Sequence, residues 1–453
     1  MNLKKYAASI ERQLKAIAGM TVKGFKIAAP VPLIWSKVHK INRNGLKKLP
    51  AEFDSLYASL GYIIAEWVYQ GAEATQVVGF SILSPMATIA MNQGGMRHPD
   101  HTEPSPFWDE RLPAARQEVY APYRMFDNMR FSGSTVWKEV DGQVELALHL
   151  LPDSLHRLPF SPTEYVEVAL SLRCIEFWQL LFIPEDEQLP YAEIIGHTAH
   201  YIRQLFPDAA HLIPAHVTAR FPRPEPVPGP DYRQRLEVAL QQLAALPGIK
   251  VKAEPLPAGA SLGVRFRAER ALGRPLPAEL LAFYAQVNGC HIRWQGPRGK
   301  LKGSLALRPL EQAMGGRRYS SNKHWDATVN EGEAWAEGHM EYVVETLREE
   351  GQDVELPASG LKLFDEVGTT SFGAISLAAD AEEPAKLWWL VGDDLDDLRP
   401  LRLSFAQYLD KLLGTLGLED WQFHFLRDEP APPYAEHVRQ DLQHLNLSAA
   451  ILA

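Results

Sequence analysis

From Ser161 to Glu193 the chain says nearly the same thing again 243 residues later and without a gap, and that repeat limits the folds open to it more than any other feature. Ser161 answers Ser404, Tyr165 answers Tyr408, Trp178-Gln179 answers Trp421-Gln422, and Phe182 answers Phe425. Pro190-Tyr-Ala-Glu193 answers Pro433-Tyr-Ala-Glu436 in the same register. Chance does not align so many aromatic and turn residues.

Earlier segments repeat with other offsets. Leu49-Pro-Ala-Glu-Phe-Asp-Ser-Leu-Tyr-Ala-Ser-Leu-Gly61 returns as Leu276-Pro-Ala-Glu-Leu-Leu-Ala-Phe-Tyr-Ala-Gln-Val-Asn-Gly289. Each copy reads as a short helix, with proline at its first position, glutamate in its first turn and glycine at its end. Leu280, Phe283, Tyr284 and Val287 share one face, as do Phe53, Leu56, Tyr57 and Leu60, so each helix has a side made for a core. Trp67 matches Trp294, Gly79 to Met86 matches Gly303 to Leu310, and Met125-Phe-Asp127 matches Leu363-Phe-Asp365. Leu150 to Leu158 is aligned with Leu390 to Leu398, and Glu11 to Gly19 more loosely with Glu237 to Gly248.

Between the copies runs Phe221-Pro-Arg-Pro-Glu-Pro-Val-Pro-Gly-Pro230, whose five prolines make a stiff extended connection. One unit is therefore expected over residues 8–220, a proline-rich linker over 221–230, and the second unit over 231–453. A chain of 453 residues suits two such units better than one core. The first unit carries a polar insertion near residues 92–122 that the second lacks.

Strands are expected in the second unit at 291–295, 301–307, 374–378 and 386–391, bounded by Gly, Pro and Asp. A helix is expected over about 404–416, with Ser404 as its cap. Helices set around consecutive short strands argue for an α+β fold with an antiparallel sheet; the regular alternation a parallel sheet needs is missing.

With 46% hydrophobic and 23% charged residues the chain has a globular composition. No apolar run reaches the roughly 20 residues of a membrane helix, and the first residues lack a secretory core, so a cytoplasmic protein with no membrane association is expected. Cys174 and Cys290 lie among apolar residues and read as buried thiols. Lys and Arg number 22 against 24 Asp and Glu in residues 1–230, and 24 against 32 in residues 231–453. That acidic second half speaks against a nucleic-acid surface. The basic opening, residues 1–50, is read as solvated helix and turn faces.

The succession Leu-Pro-x-x-Leu-x-x-Phe-Tyr-x-x-x-Asn-Gly, strands ending in Leu-Arg-Pro-Leu, then Ser-Phe-x-x-Tyr-Leu before a final aromatic strand resembles the SUKH superfamily. In the second unit the resemblance covers Arg265 to Phe425. The first unit departs from it: Gly61 lacks the preceding Asn, and Pro162 stands where the second unit has Phe405. The family includes bacterial immunity proteins encoded beside polymorphic toxins and fungal regulators of cell-wall synthesis. The resemblance implies binding without catalytic residues, cofactor or metal.

Standard catalytic motifs (GxSxG, P-loop, GxGxxG, HExxH, paired CxxC) are absent from the sequence. His98-Pro-Asp-His101 has metal-ligand residue types, but a proline-interrupted loop in an insertion reads better as surface. Trp67, Trp178, Trp294 and Trp421 read as core. In Trp388-Trp389 the two rings face opposite ways if the segment is a strand, which would make Trp388 an interface anchor. Leu390-Val-Gly-Asp-Asp-Leu-Asp-Asp-Leu398 carries Asp393, Asp394, Asp396 and Asp397 where the first unit's counterpart is near neutral. With Glu341 and Glu345 these form a candidate negative surface for a protein whose own site is basic. A solvated loop explains the same residues without a partner; a calcium loop does not, for want of its glycine and distant glutamate.

The expectation is a non-enzymatic immunity protein that binds a co-encoded toxin, such as a nuclease, and blocks its active site. A scaffold or regulator in cell-wall or stress signalling is the alternative. An enzyme using His98, His101 and Glu103 is the third.

Overall fold

In Tyr62–Gln70 and Gln76–Leu83 every second side chain is buried. Such alternation makes strands with one face on a core. In a computed structural model the described residues are 3–28, 50–71, 76–83, 119–120, 122–128, 133–150, 154–222, 229–299, 301–314, 361–367, 371–377, 384–391, 397–427 and 436–452. The chain is α+β with antiparallel sheets. It divides into two compact units between Pro226 and Val227, with Ser261–Gly263 grouped with the first.

The first unit opens with helix α1 (Leu3–Lys15) and strand β1 (Met20–Ala28), then α2 (Ala51–Ser59), β2 (Tyr62–Gln70), β3 (Gln76–Leu83) and β4 (Arg124–Asn128). Next come β5 (Gly133–Val140), β6 (Gln143–Leu150), β7 (Ser154–Leu158) and the helices α3 (Pro162–Ser171), α4 (Ala192–Leu205) and α5 (Ala215–Arg220). The seven strands form one sheet in sequence order, β1 to β7. Each joins its neighbour antiparallel, so β1 and β7 are the edges.

The second unit begins with α6 (Tyr232–Ala245), capped by the Asp231 side chain, and β8 (Lys250–Ala253). It continues with α7 (Leu262–Leu272), α8 (Ala278–Tyr284), β9 (Ile292–Gln295), β10 (Lys302–Leu305) and α9 (Leu310–Ala313). The remaining elements are β11 (Leu361–Val367), β12 (Ser371–Ser376), β13 (Lys386–Val391), β14 (Asp397–Pro400), α10 (Phe405–Gly414) and α11 (Glu436–His444). Strands β8 to β10 form one sheet and β11 to β14 another. Among the described residues a single bridge, Leu307 to Asp365, links the two where the first unit pairs Leu83 with Asp127.

The same ties hold sheet to helix in both units. The Trp67 indole donates to the carbonyl of Arg173 at 2.7 Å, and Trp294 donates to that of Leu416 at 2.7 Å. Gly79 bridges to Ile175 and Gly303 to Leu418. A Cβ on either glycine would stand in the adjacent indole, so the close approach of strand to ring requires glycine. Both bridging segments turn through left-handed backbone, at Arg173 and Cys174 in one unit and Leu416 and Gly417 in the other. α3 and α10 each open with a capping box, Ser161 with Glu164 and Ser404 with Gln407.

Several expectations change. Pro50 and Pro277 stand at the caps of α2 and α8, one residue ahead of the first helical position. Trp421–Phe425, expected as a strand, is a 3-10 helix, as is Trp178–Leu181. All five residues Trp421 to Phe425 are buried, and an alternating strand with one solvated face cannot do that. The expected strands at 374–378 and 301–307 lie at Ser371–Ser376 and Lys302–Leu305. β8, β11 and β14 lie outside the four expected strand ranges.

Alignment of Leu150–Leu158 with Leu390–Leu398 also shifts. Leu146 pairs with Leu158, and its counterpart Leu387 accepts from Leu401, so Leu158 corresponds to Leu401 and the 243-residue register already holds there. The innermost pairs are Leu150 with Ser154 and Val391 with Asp397. They bracket three residues in the first unit and five in the second, so the two stretches differ in length as well as in charge.

Candidate functional site

Asp127 and Asp365 are the carboxylates whose surroundings alter them most. Each follows a bulge, between Met125 and Asp127 in β4 and between Leu363 and Asp365 in β11. The extra residue, Phe126 or Phe364, turns the next carboxylate inward beneath a helix. The Tyr165 hydroxyl donates to Asp127 at 2.8 Å, and the Tyr408 hydroxyl donates to Asp365 at 2.5 Å. Gln179 and Gln422 donate to those same tyrosines at 2.7 and 3.4 Å.

Burial pushes Asp127 up to about 6 and Asp365 up to about 7. It also raises both tyrosines well above the usual phenol range, with the neighbouring aspartate adding to the effect. Perturbed carboxylates often mark active sites, but these two are sealed, at 1% and 0% exposed, and each is held by its own helix. They fasten a helix to a sheet.

Of the sequence-derived surface, Asp397 alone among the aspartates belongs to a described segment, at the start of β14 opposite Val391. Asp393, Asp394, Asp396, Glu341 and Glu345 lie outside the described residues, as do His98, His101 and Glu103. Trp388 and Trp389 face opposite ways as expected, with Trp389 wholly buried in the core. Trp388, on the other face, is half-buried against Leu363, Phe372, Leu390 and Leu398, and its indole donates to Ser376 Oγ at 2.9 Å.

The four tryptophans read as core are buried, at 0–3% exposure. Both cysteines are free and buried, and burial raises the Cys290 thiol to about 12 and the Cys174 thiol further still, so neither is a ready nucleophile. Among the described residues no group of three His, Cys, Asp or Glu could hold a metal ion, and no helix is long and apolar enough to cross a membrane.

One polar constellation escaped sequence reasoning. His156 on β7 stands between Glu187, 2.5 Å from Nδ1, and the Tyr191 hydroxyl, 2.8 Å from Nε2. Tyr191 donates in turn to Ser154 at 3.2 Å, and Ser154 donates to the carbonyl of Leu150 at 3.2 Å. The relay ends on backbone, so it ties an edge strand to the segment at 185–191 and leaves no activated hydroxyl. The repeated Pro-Tyr-Ala-Glu had marked Tyr191, but nothing in the sequence joined it to His156.

No family model, curated protein or solved structure matches the chain.

Proposed function

We propose that the protein is a non-catalytic immunity protein, two SUKH-like units that bind a co-encoded bacterial toxin and block its active site by contact. The observation that carries the reading is the Tyr–Asp pair built twice: in both units the carboxylate best suited by its raised pKa to acid–base work is sealed under a helix. A scaffold made this way twice offers surface to a partner while its interior polar groups serve only the fold. The four aspartates from Asp393 to Asp397, in a stretch two residues longer than its counterpart in the first unit, would offer negative charge that speeds encounter with a basic partner.

Co-expression with the product of the neighbouring gene tests the proposal. Restored growth and a co-eluting complex on size exclusion are expected; neither rescue nor complex refutes it. Changing Asp393, Asp394, Asp396 and Asp397 to Asn together is expected to slow association and weaken its salt dependence, with the fold intact. Unchanged association kinetics at low salt would remove the four aspartates from the interface.

A further inference from the structure

The units differ at the last edge of the sheet. In the second, Leu401 makes an antiparallel bridge with Leu426, through backbone bonds of 2.9 Å from the Arg402 N–H to Phe425 O and from the Arg427 N–H to Pro400 O. Stepping back 243 residues puts Pro159 and Pro184 at the two donor positions. Proline has no N–H, so neither bond can form in the first unit. Among the described residues Leu158 and Ile183 make no bridge. In that place the first unit has an open groove of about 610 Å³, lined by Val140, Val144, Arg157, Phe160, Phe182 and Pro184 among others.

The side chains follow the backbone. Phe425 is buried beneath the Arg402 guanidinium, 5.7 Å from the ring centre, and the Lys411 ammonium, 4.9 Å from it. Its counterpart Phe182 is half-buried, and Pro159 and Val168 occupy the positions of those cations. Phe160, half-buried where Leu403 is buried, meets Phe182 edge-on at 5.0 Å. The lining also includes Asp141 and Glu145, and Val140 among its residues is exposed. Glu145 is already paired with Lys138 at 3.0 Å and Arg157 at 3.5 Å, which leaves Asp141 as the unpaired acid.

We infer that this groove is a docking site for an extended segment of another protein, one that presents a basic side chain between apolar ones. The second unit displays the chemistry of the occupant because it fills the equivalent place from its own chain, with two amide donors at the strand edge and two cations over a phenylalanine. The first unit keeps the acceptors and the ring and lacks the two donors and the cations over the ring; Arg157, the cation of the lining, is paired with Glu145 at 3.5 Å. An incoming strand supplies both: its N–H groups reach the β7 edge and the Phe182 carbonyl, and its Arg or Lys lies over the Phe182 ring near Asp141. The inference concerns the groove and does not require the partner to be a toxin, so it stands or fails apart from the function proposed above.

The test uses the full chain and four blocked heptapeptides, Ser-Val-Ser-Xaa-Ser-Val-Ser, with Arg, Lys, Gln or Glu at the centre, read by amide exchange over residues 154–160. The Arg and Lys peptides are expected to protect that segment and the Glu peptide not to. Pro159→Arg with Pro184→Arg, which restores both donors and a cation, is expected to weaken binding about tenfold by closing the groove. Val140→Lys, at an exposed rim position outside the core, is expected to weaken it too by charge repulsion. Absence of protection by every peptide overturns the inference, as does equal protection by the Arg and Glu peptides or binding unchanged in both variants. Self-association by sedimentation that the double proline variant abolishes would also overturn it, since the occupant would then be a second copy of the chain.

Discussion

The buried carboxylate of the first unit has more company than that of the second. Asp127 accepts from Ser81 as well as Tyr165, and Tyr165 meets the Thr135 hydroxyl at 2.8 Å. At the equivalent positions the second unit has Leu305 and Gly373, and Asp365 receives one side-chain bond, from Tyr408. Asp365 also has Glu366 as a like charge beside it, and it is pushed up to about 7 where Asp127 reaches about 6. Both units keep the carboxyl, and in both burial is what raises it, with the hydroxyl donors pulling the other way.

The strongest way to break the likeness is at the tryptophans. Trp67→Ala and Trp294→Ala should each cost about 3 to 5 kcal/mol in denaturant unfolding, since each removes a buried ring and strands a carbonyl. If either costs under about 1 kcal/mol, the two ties are not equivalent. Next come Gly79→Ala and Gly303→Ala, expected to cost about 1 to 3 kcal/mol because a methyl there overlaps the indole. Neutral substitution at one glycine and not the other would show that one sheet can move off its ring.

Titration sharpens the comparison. Both aspartates bind their proton more tightly folded than unfolded, where the ordinary value is 3.8. Their contribution to stability is therefore full below that value and lost as pH rises to the folded pKa. Asp127→Asn should flatten the fall in stability between about pH 4 and 6, by about 3 kcal/mol, and Asp365→Asn should flatten it between about 4 and 7, by about 4 kcal/mol. Stability followed by amide exchange against pH checks this; a parent stability that does not fall between about pH 4 and 6 would contradict the raised carboxyls.

The smallest effect is at the capping boxes. Ser161→Ala and Ser404→Ala should each cost about 1 kcal/mol at neutral pH. Bonds from the Ser161 backbone and side chain hold Glu164 below the ordinary carboxylate range, so its share is present above the unfolded pKa and is lost as pH falls through the folded one. Gln407 does not titrate, so the cost at Ser404 should stay level in acid. Thermal unfolding of both variants at neutral and acid pH separates them.

Much of the architecture was legible because its signals are local or repeated. The α2 and α8 helices announced themselves by the spacing of their apolar residues, and the start of α10 by Ser404. The short strands β8, β11 and β14 were missed because segments of four to seven residues carry too little alternation to stand apart from loops. The turn before β14 was misaligned because Leu-x-x-x-Leu spacing can be matched in more than one register, and backbone pairing alone selects one.

What the sequence by itself determined is which residues go inside and that the chain writes its plan twice: pattern and periodicity record burial and need no knowledge of partners. Tertiary structure alone decided the meaning of single residues. Met125-Phe-Asp127 and Leu363-Phe-Asp365 were visible as a pair, yet that each aspartate lies sealed beneath a tyrosine about forty residues away depends on a bulge. Pro159 and Pro184 are two prolines among 34 until the fold sets them where Arg402 and Arg427 make a bridge in the other unit. A hydrogen bond that cannot form leaves no mark in a sequence, because its absence is defined by the neighbour that the folded chain brings alongside.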